Sequence, residues 1–295
     1  MRCPFCFVNL GLCQKNQEYD IEKIIIIKER SQKILYNGFE RNHSKGSTVM
    51  EIRIAKNKEE LGKSAAREAA KIINEAIKDR GYARIVLSTG ASQFDTLSAL
   101  VKENVDWSRV DMFHLDEYVG ISETHGASFR KYLKERFEAK LPTALRSANY
   151  VDGTKEGIDA ITKKLRSDSI DLGLIGIGEN THIAFNDPPA DFNTREAYII
   201  VNLDDACKRQ QMGEGWFATI DDVPKQAVSM TCYQIMQCKN IISAVPYAVK
   251  ANAIEKTLKA KDVTPEVPAS LLKEHESFIL YVDADSASKI VNFDF

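Results

Sequence analysis

The sequence predicts an α/β fold: a single Rossmann-like domain with a mainly parallel sheet and helices on both faces. Two observations carry that expectation. Short β-rich apolar runs alternate with helical patterns along the chain, and strands separated by helices need crossover connections, which give a parallel sheet covered on both sides. The composition agrees, since 44% of the 295 residues are hydrophobic and 28% charged, as in a soluble globular protein and unlike a disordered, collagenous or coiled-coil chain. No run approaches the roughly 18 consecutive apolar residues of a membrane span. Forty basic and 42 acidic side chains leave a formal charge of −2, so nucleic acid and anionic membranes are not expected partners. Recognition of an anionic ligand has to be local.

From Met50 the elements follow in order. Met50-Glu-Ile-Arg-Ile-Ala55 reads as a strand. Residues 58–79 place Leu61, Ala65, Ala69, Ile72, Ile73 and Ala76 at helical spacing, and Gly81 ends that helix. Arg84–Ser88 is a strand that runs through a tight turn into a helical pattern at Phe94, Leu97 and Leu100. Val110–Leu115 is a strand, Ser128–Phe137 and residues 155–166 are helices, and Ile170–Gly176 is a strand. Further strands are expected at Tyr198–Leu203, Ala227–Met230, Ile241–Val245 and Ser277–Val282, with a helix at Val249–Leu258. Pro265 and Pro268 mark a loop before the last helix and strand. In such sheets ligands sit beyond the carboxyl ends of the strands, so the residues just after each strand are the informative ones.

Three of those stretches carry chemistry. Ser88-Thr89-Gly90-Ala91-Ser92 joins a strand to a helix, and small residues, hydroxyls and a helix N-terminus together suit a phosphate. It lacks the P-loop lysine and the dinucleotide glycines, which favours a monophosphate, while a merely capped helix is the bland alternative. Asp116-Glu117 follows an apolar strand, where a carboxylate can act as a base or simply cap the next helix. Gly176-Ile-Gly178-Glu-Asn180-Thr-His182 ends another strand in glycines, with Asp187 five residues past the histidine. A histidine near an acid that fixes its tautomer can move protons, although a lone histidine is more often structural.

Taken together, Thr89-Gly90, Leu115-Asp-Glu-Tyr-Val-Gly120, Gly176-x-Gly178, His182-Ile-Ala-Phe-Asn186 followed by an acid and Pro188, and a basic pair before Gly213-Glu-Gly-Trp-Phe217 occur in the order seen in glucosamine-6-phosphate deaminases. The chain resembles that family over nearly all of residues 50–290, and more broadly the superfamily that includes 6-phosphogluconolactonase. Tyr118 and Ile183-Ala-Phe-Asn186 fit the deaminase/isomerase branch better than the lactonases. The resemblance implies that Asp116 is the enolisation base and His182 the ring-opening histidine. It further implies that phosphate is held by Thr89, Gly90, Ala91 and Ser92, by Arg209 or its neighbour Lys208, and by Lys250, with Glu117, Gly176 and Gly178 also lining the substrate site. Asn180 stands where the deaminases have an aspartate, and Asp187 where they have a glutamate. Asp187 is then the carboxylate partner of His182, and Asn180 can only orient the ring.

The activity so implied is cytoplasmic and needs neither metal nor redox cofactor: an amino-hexose 6-phosphate is opened, isomerised and deaminated to a ketose 6-phosphate and ammonia. A lactone hydrolase and a catalytically silent sugar-phosphate sensor are the alternatives. The partner is a small-molecule sugar phosphate, the resemblance is compatible with a homo-oligomer, and the hexosamine epimer stays open.

The first 49 residues differ from the rest. They carry a net +3, against −5 for residues 50–295, and hold Cys3, Cys6 and Cys13, half of the six cysteines. Cys3-Pro-Phe-Cys6 has zinc-site spacing but no second pair, only Cys13 and a distant His43. Cys207, Cys232 and Cys238 are scattered and read as buried reduced thiols. Residues 1–49 therefore read as an N-terminal extension, poorly structured or not native, with Met50 as a candidate start. Mass spectrometry of the native N-terminus is expected to find Met50 first; peptides from residues 1–49 would sink that expectation.

Overall fold

The computed structural model describes residues 21–28, 49–213, 215 and 217–290. Its main sheet contains, from edge to edge, β1 (Ile21–Lys28), β2 (Val49–Ala55), β11 (Phe278–Asp283), β10 (Asn240–Val245), β7 (Leu172–Leu174), β3 (Ala83–Leu87), β4 (Val110–His114) and β6 (Ser147–Asn149). Every pairing is parallel except β1 on β2. Central strands covered on both faces are buried at every position, as β3 and β4 are, and their two inward charges, Arg84 and Asp111, lie 3.9 Å apart as a pair. Alternate residues serve opposite layers. Ile85 and Leu87 of β3 pack with Leu61, Ala65 and Ile73 of α1 (Lys58–Arg80), with Leu97 of α2 (Phe94–Leu100) and with Leu133 of α3 (Phe129–Arg136), whereas Val86 between them faces Ile161 of α4 (Lys155–Leu165), Ile235 of α6 (Cys232–Ile235) and Ile254 of α7 (Ala251–Lys259). Each such fully buried aliphatic side chain contributes about 1.5–3 kcal/mol relative to exposure, so the two layers hold the sheet from both sides.

Helix α1 starts at Asn57, whose side chain accepts the Glu60 N–H, and stops at Gly81, which at φ 87° returns its N–H to Ile77 O. Ser128 and Thr154 cap α3 and α4 in the same way as Asn57.

Two expectations are corrected. Tyr198–Leu203 and Ala227–Met230 do form strands, β8 (Tyr198–Asn202) and β9 (Gln226–Met230), but outside the main sheet. With β5 (Asp116–Tyr118) they build a separate antiparallel sheet in the order β5-β9-β8. The reason is legible in β8, where after the buried Tyr198 the half-buried Ile199 and Val201 alternate with exposed Ile200 and Asn202, the signature of a strand with one wet face. The second concerns the extension: residues 21–28, within the stretch read as poorly structured, pair with β2 in antiparallel register from Ile21–Ala55 to Lys28–Val49. Their run of isoleucines has strong β propensity. Cys3, Cys6, Cys13 and His43 lie outside the described residues.

One close approach joins α1 to α2. A Cβ on Gly62 of α1 would lie 2.6 Å from the Asp95 carbonyl carbon at the start of α2, so only glycine lets the two helices meet there. Alanine would gain about 1 kcal/mol of helix propensity, but overpacking against backbone costs more. Gly62→Ala is expected to lower stability by about 1–2 kcal/mol, a drop of roughly 3–6 °C in Tm; a thermal melt at or above the wild-type midpoint would refute this packing role.

Candidate active site

Four neighbouring strands, β10-β7-β3-β4, end on the same side of the sheet, and the segments that follow them enclose a cavity of about 810 Å³, counting its open mouth. The segment after β3 supplies Ser88–Ser92, that after β4 Leu115 and Asp116, that after β7 Gly176–Glu179, His182, Ala184 and Phe185, and that after β10 Tyr247, Val249 and Lys250; Phe129 and Gln211 complete the wall.

The turn after β3 is built to expose backbone. Gly90 adopts φ 98°, the left-handed region that glycine enters without strain, and among the described residues the N–H groups of Thr89 and Gly90 meet no acceptor. Carbonyls on the far side of the turn are tied down: Gly90 O accepts from Tyr132 Oη at 3.0 Å and Ala91 O from Tyr247 Oη at 3.4 Å. Tyr247, itself at φ 81°, donates its N–H to Asp283 Oδ2 at 3.1 Å and starts the turn that carries Lys250. Unpaired N–H groups and a buried lysine on one cavity suit a phosphate dianion.

His182 is held from two directions. A Cβ on Gly178 would lie 2.2 Å from its Cε1 and Nε2, so the imidazole rests directly on the glycine backbone. Asn180 works on both sides of the ring: its Oδ1 accepts the His182 N–H at 3.0 Å and its Nδ2 donates to Asp187 Oδ1 at 2.8 Å. His182 Nδ1 lies 3.1 Å from the same Asp187 oxygen, at an angle oblique to a well-formed hydrogen bond. Burial alone would raise the Asp187 pKa, but the His182 contact and the Asn180 amide outweigh it and hold the carboxyl below its ordinary value. With an ionised carboxylate on Nδ1, Nε2 is the nitrogen left to act on a ligand. Asn180 and Asp187 do not themselves line the cavity; they stand behind the ring that does.

The two acids after β4 separate cleanly. Asp116 and Glu117 are consecutive on β5, so their side chains point to opposite faces. Asp116 lines the cavity, and burial first, then the neighbouring Glu117 charge, pushes its pKa up to about 8. Glu117 does not reach the cavity. It accepts the N–H groups of Phe129 at 3.1 Å and Arg130 at 2.9 Å and the Ser128 hydroxyl at 2.9 Å, fastening the N-terminus of α3. The expectation of a substrate-lining Glu117 is thereby replaced by the helix-capping alternative. Below them His114 is fully buried, and burial depresses its pKa to about 3.

Of the expected residues, Thr89, Gly90, Ala91, Ser92, Asp116, Gly176, Gly178, His182 and Lys250 line the cavity, while Lys208 and Arg209 do not. Both lie on α5 (Asp205–Gly213), where Gln211 is the residue that reaches inward. At 100° per residue Arg209 points roughly opposite to Gln211, and it is exposed, with Lys208 half-buried. Gln211, Tyr247, Val249 and the aromatic wall Phe129–Phe185 are cavity residues absent from the sequence reading; helical phase along α5 was the available signal for Gln211. Among the described residues no three His, Cys, Asp or Glu side chains converge as a metal-binding group, and no helix is long and apolar enough to cross a membrane.

The family model for glucosamine-6-phosphate isomerases/6-phosphogluconolactonase matches residues 56–280. The chain belongs to this family. It is 34% identical over 221 residues to a glucosamine-6-phosphate deaminase of Staphylococcus epidermidis, covering 72% of this chain and 89% of that protein. It is also 34% identical over 231 residues to one from Clostridium acetobutylicum, covering 75% and 94%. A solved monomeric glucosamine-6-phosphate deaminase superposes with TM-score 0.73 at 28% identity, over 81% of this chain and 99% of that one. The 6-phosphogluconolactonase of Trypanosoma brucei shares the fold, with TM-score 0.66 at 17% identity.

The Asp116 carboxyl has a measurable signature. Folded, it holds its proton to about pH 8; unfolded, it releases it near 3.8. The unfolded chain thus binds fewer protons across that window, and this group's contribution makes stability fall as pH rises through it. Asp116→Asn removes the term, so the variant is expected to melt above the wild type at pH 8–9, with the gap closing toward pH 4. A gap that does not change with pH would refute the raised carboxyl.

Proposed function

We propose that this chain is a glucosamine-6-phosphate deaminase, converting an amino-hexose 6-phosphate and water to a ketose 6-phosphate and ammonia. The observation that carries the reading is the pairing of a high-pKa carboxyl, Asp116, with a carboxylate-backed histidine, His182, on one cavity whose far side offers unpaired N–H groups and Lys250. The deaminases at 34% identity support the substrate class.

In this mechanism the phosphate docks on the Thr89–Ser92 turn and Lys250. His182 Nε2 takes the proton from the anomeric hydroxyl and returns it to the ring oxygen, opening the ring, while Asp187 stabilises the transient imidazolium. Asp116 then removes the C2 proton and delivers it to C1, which turns the 2-amino aldehyde into a 2-imino alcohol. Water adds to C2 and ammonia leaves. A base whose pKa lies near the working pH combines availability with strength, and the buried Asp116 is such a base. Asn180 takes no proton; by bonding both the His182 backbone and Asp187 it keeps the carboxylate on the ring, so the amide preserves the relay's geometry. Lys208 and Arg209 stay outside this phosphate site in the arrangement described. We place the protein in the cytoplasm, a setting supported by the buried, unbridged thiols of Cys232 and Cys238.

Incubation with glucosamine 6-phosphate, galactosamine 6-phosphate and 6-phosphogluconolactone tests the reading. Ammonia and fructose 6-phosphate are expected from the first, and kcat in Asp116→Asn is expected to drop by at least 10²-fold. Lactone hydrolysis without ammonia release, or undiminished turnover in Asp116→Asn, would overturn it.

A further inference from the structure

The wall beside Asp116 carries a second polar group with no part in the proton transfers. Asp116 and Tyr118 are two residues apart on β5 and share a face. Tyr118 is 0% exposed, and its ring is fixed by Phe129, Phe185 and Phe217 at centroid distances of 5.1, 5.4 and 5.3 Å. A phenol so caged has one direction for its hydroxyl, and that hydroxyl donates to Gln211 Oε1 at 2.7 Å. Gln211 is 6% exposed and lines the cavity. With its carbonyl committed to Tyr118, its remaining polar atom is the amide nitrogen Nε2, which has no acceptor among the described residues.

Taking the deaminase reading as its basis, we propose that Gln211 reads the sugar: its Nε2, aimed into the cavity by Tyr118, donates a hydrogen bond to a hydroxyl oxygen of the bound amino-sugar phosphate. The amide nitrogen faces the open cavity rather than protein, so a hydroxyl-rich sugar entering it can take the place of solvent on that donor. A neutral donor also suits this wall better than a lysine or arginine, because a cation beside Asp116 would pull its carboxyl back toward the ordinary range and weaken it as a base. Tyr118 is then a positioning residue, acting on the substrate only through Gln211.

Gln211→Glu retains the shape and an acceptor for Tyr118 but presents an acceptor where the sugar needs a donor; Gln211→Met removes the donor at similar length. Tyr118→Phe keeps the caged ring and loses only the hydroxyl. Each is compared with the wild type in steady-state deamination of glucosamine 6-phosphate. Binding of 2-amino-2-deoxyglucitol 6-phosphate, an alditol with no carbonyl to enolise, is measured by titration calorimetry. Gln211→Met is expected to raise KM and the alditol Kd about tenfold or more with kcat within about threefold, Gln211→Glu to raise KM and Kd by at least as much, and Tyr118→Phe to raise both by about threefold. KM and Kd within twofold of wild type in both Gln211 variants would overturn the role of Gln211 while leaving the deaminase reading standing. A wild type that neither binds the alditol nor releases ammonia would overturn both.

Discussion

The site hangs on one register: Asp116 opposite Ser229 across the β5–β9 ladder. Ser229 does more than pair. Its hydroxyl accepts the Phe185 N–H at 3.0 Å, and Asn186, next in the chain, donates from Nδ2 to Met230 O at 2.8 Å and to Ile183 O at 2.8 Å. The segment carrying His182 is therefore fastened to the same strand that aligns Asp116, so base and histidine share a mechanical reference although 66 residues separate them in the sequence. A slip of one residue would turn Asp116 out of the cavity and Glu117 into it. That exchange would take the Glu117 carboxylate away from the Phe129 and Arg130 N–H groups at the start of α3.

The electrostatics follow from where each carboxyl ends up. Asp116 and Asp187 serve one cavity, but burial beside Glu117 raises the first, whereas His182 and Asn180 lower the second. In the proposed mechanism these two oppositely shifted acids take proton uptake and charge stabilisation respectively. The groups proposed to hold phosphate, the Thr89–Ser92 turn and Lys250, come from the ends of β3 and β10, while the proposed base Asp116 follows β4.

Much of this was readable from the chain. Helix α1 with its Gly81 stop, the turn at Thr89–Ser92, the glycines before His182 and the place of Asp116 just past a strand all rest on local rules of spacing and conformation. What the sequence left open was tertiary. Asp116-Glu117 gave two adjacent acids and two roles, and only the pleat of β5 and the position of α3 assign which acid takes which. Tyr198–Leu203 and Ala227–Met230 read correctly as strands, yet their membership in a second sheet depends on partners distant in sequence. Arg209 carried the charge that a phosphate wants, but the phase of α5 turns Gln211 inward. Asn180 looked like a loss against the deaminase pattern, and its two hydrogen bonds show what an amide still does there.

The pairing of β1 on β2 gives the segment before Met50 a structural meaning that its composition did not suggest. Strand β2 is bonded to β11 on one side and to β1 on the other, so with β1 in place its outer row of N–H and C=O groups is saturated. A form of the chain that began at Met50 would present that row bare, and an unpaired edge strand is a template for self-association. Residues 21–28 thus act as a selvedge, closing the weave on the side away from the site.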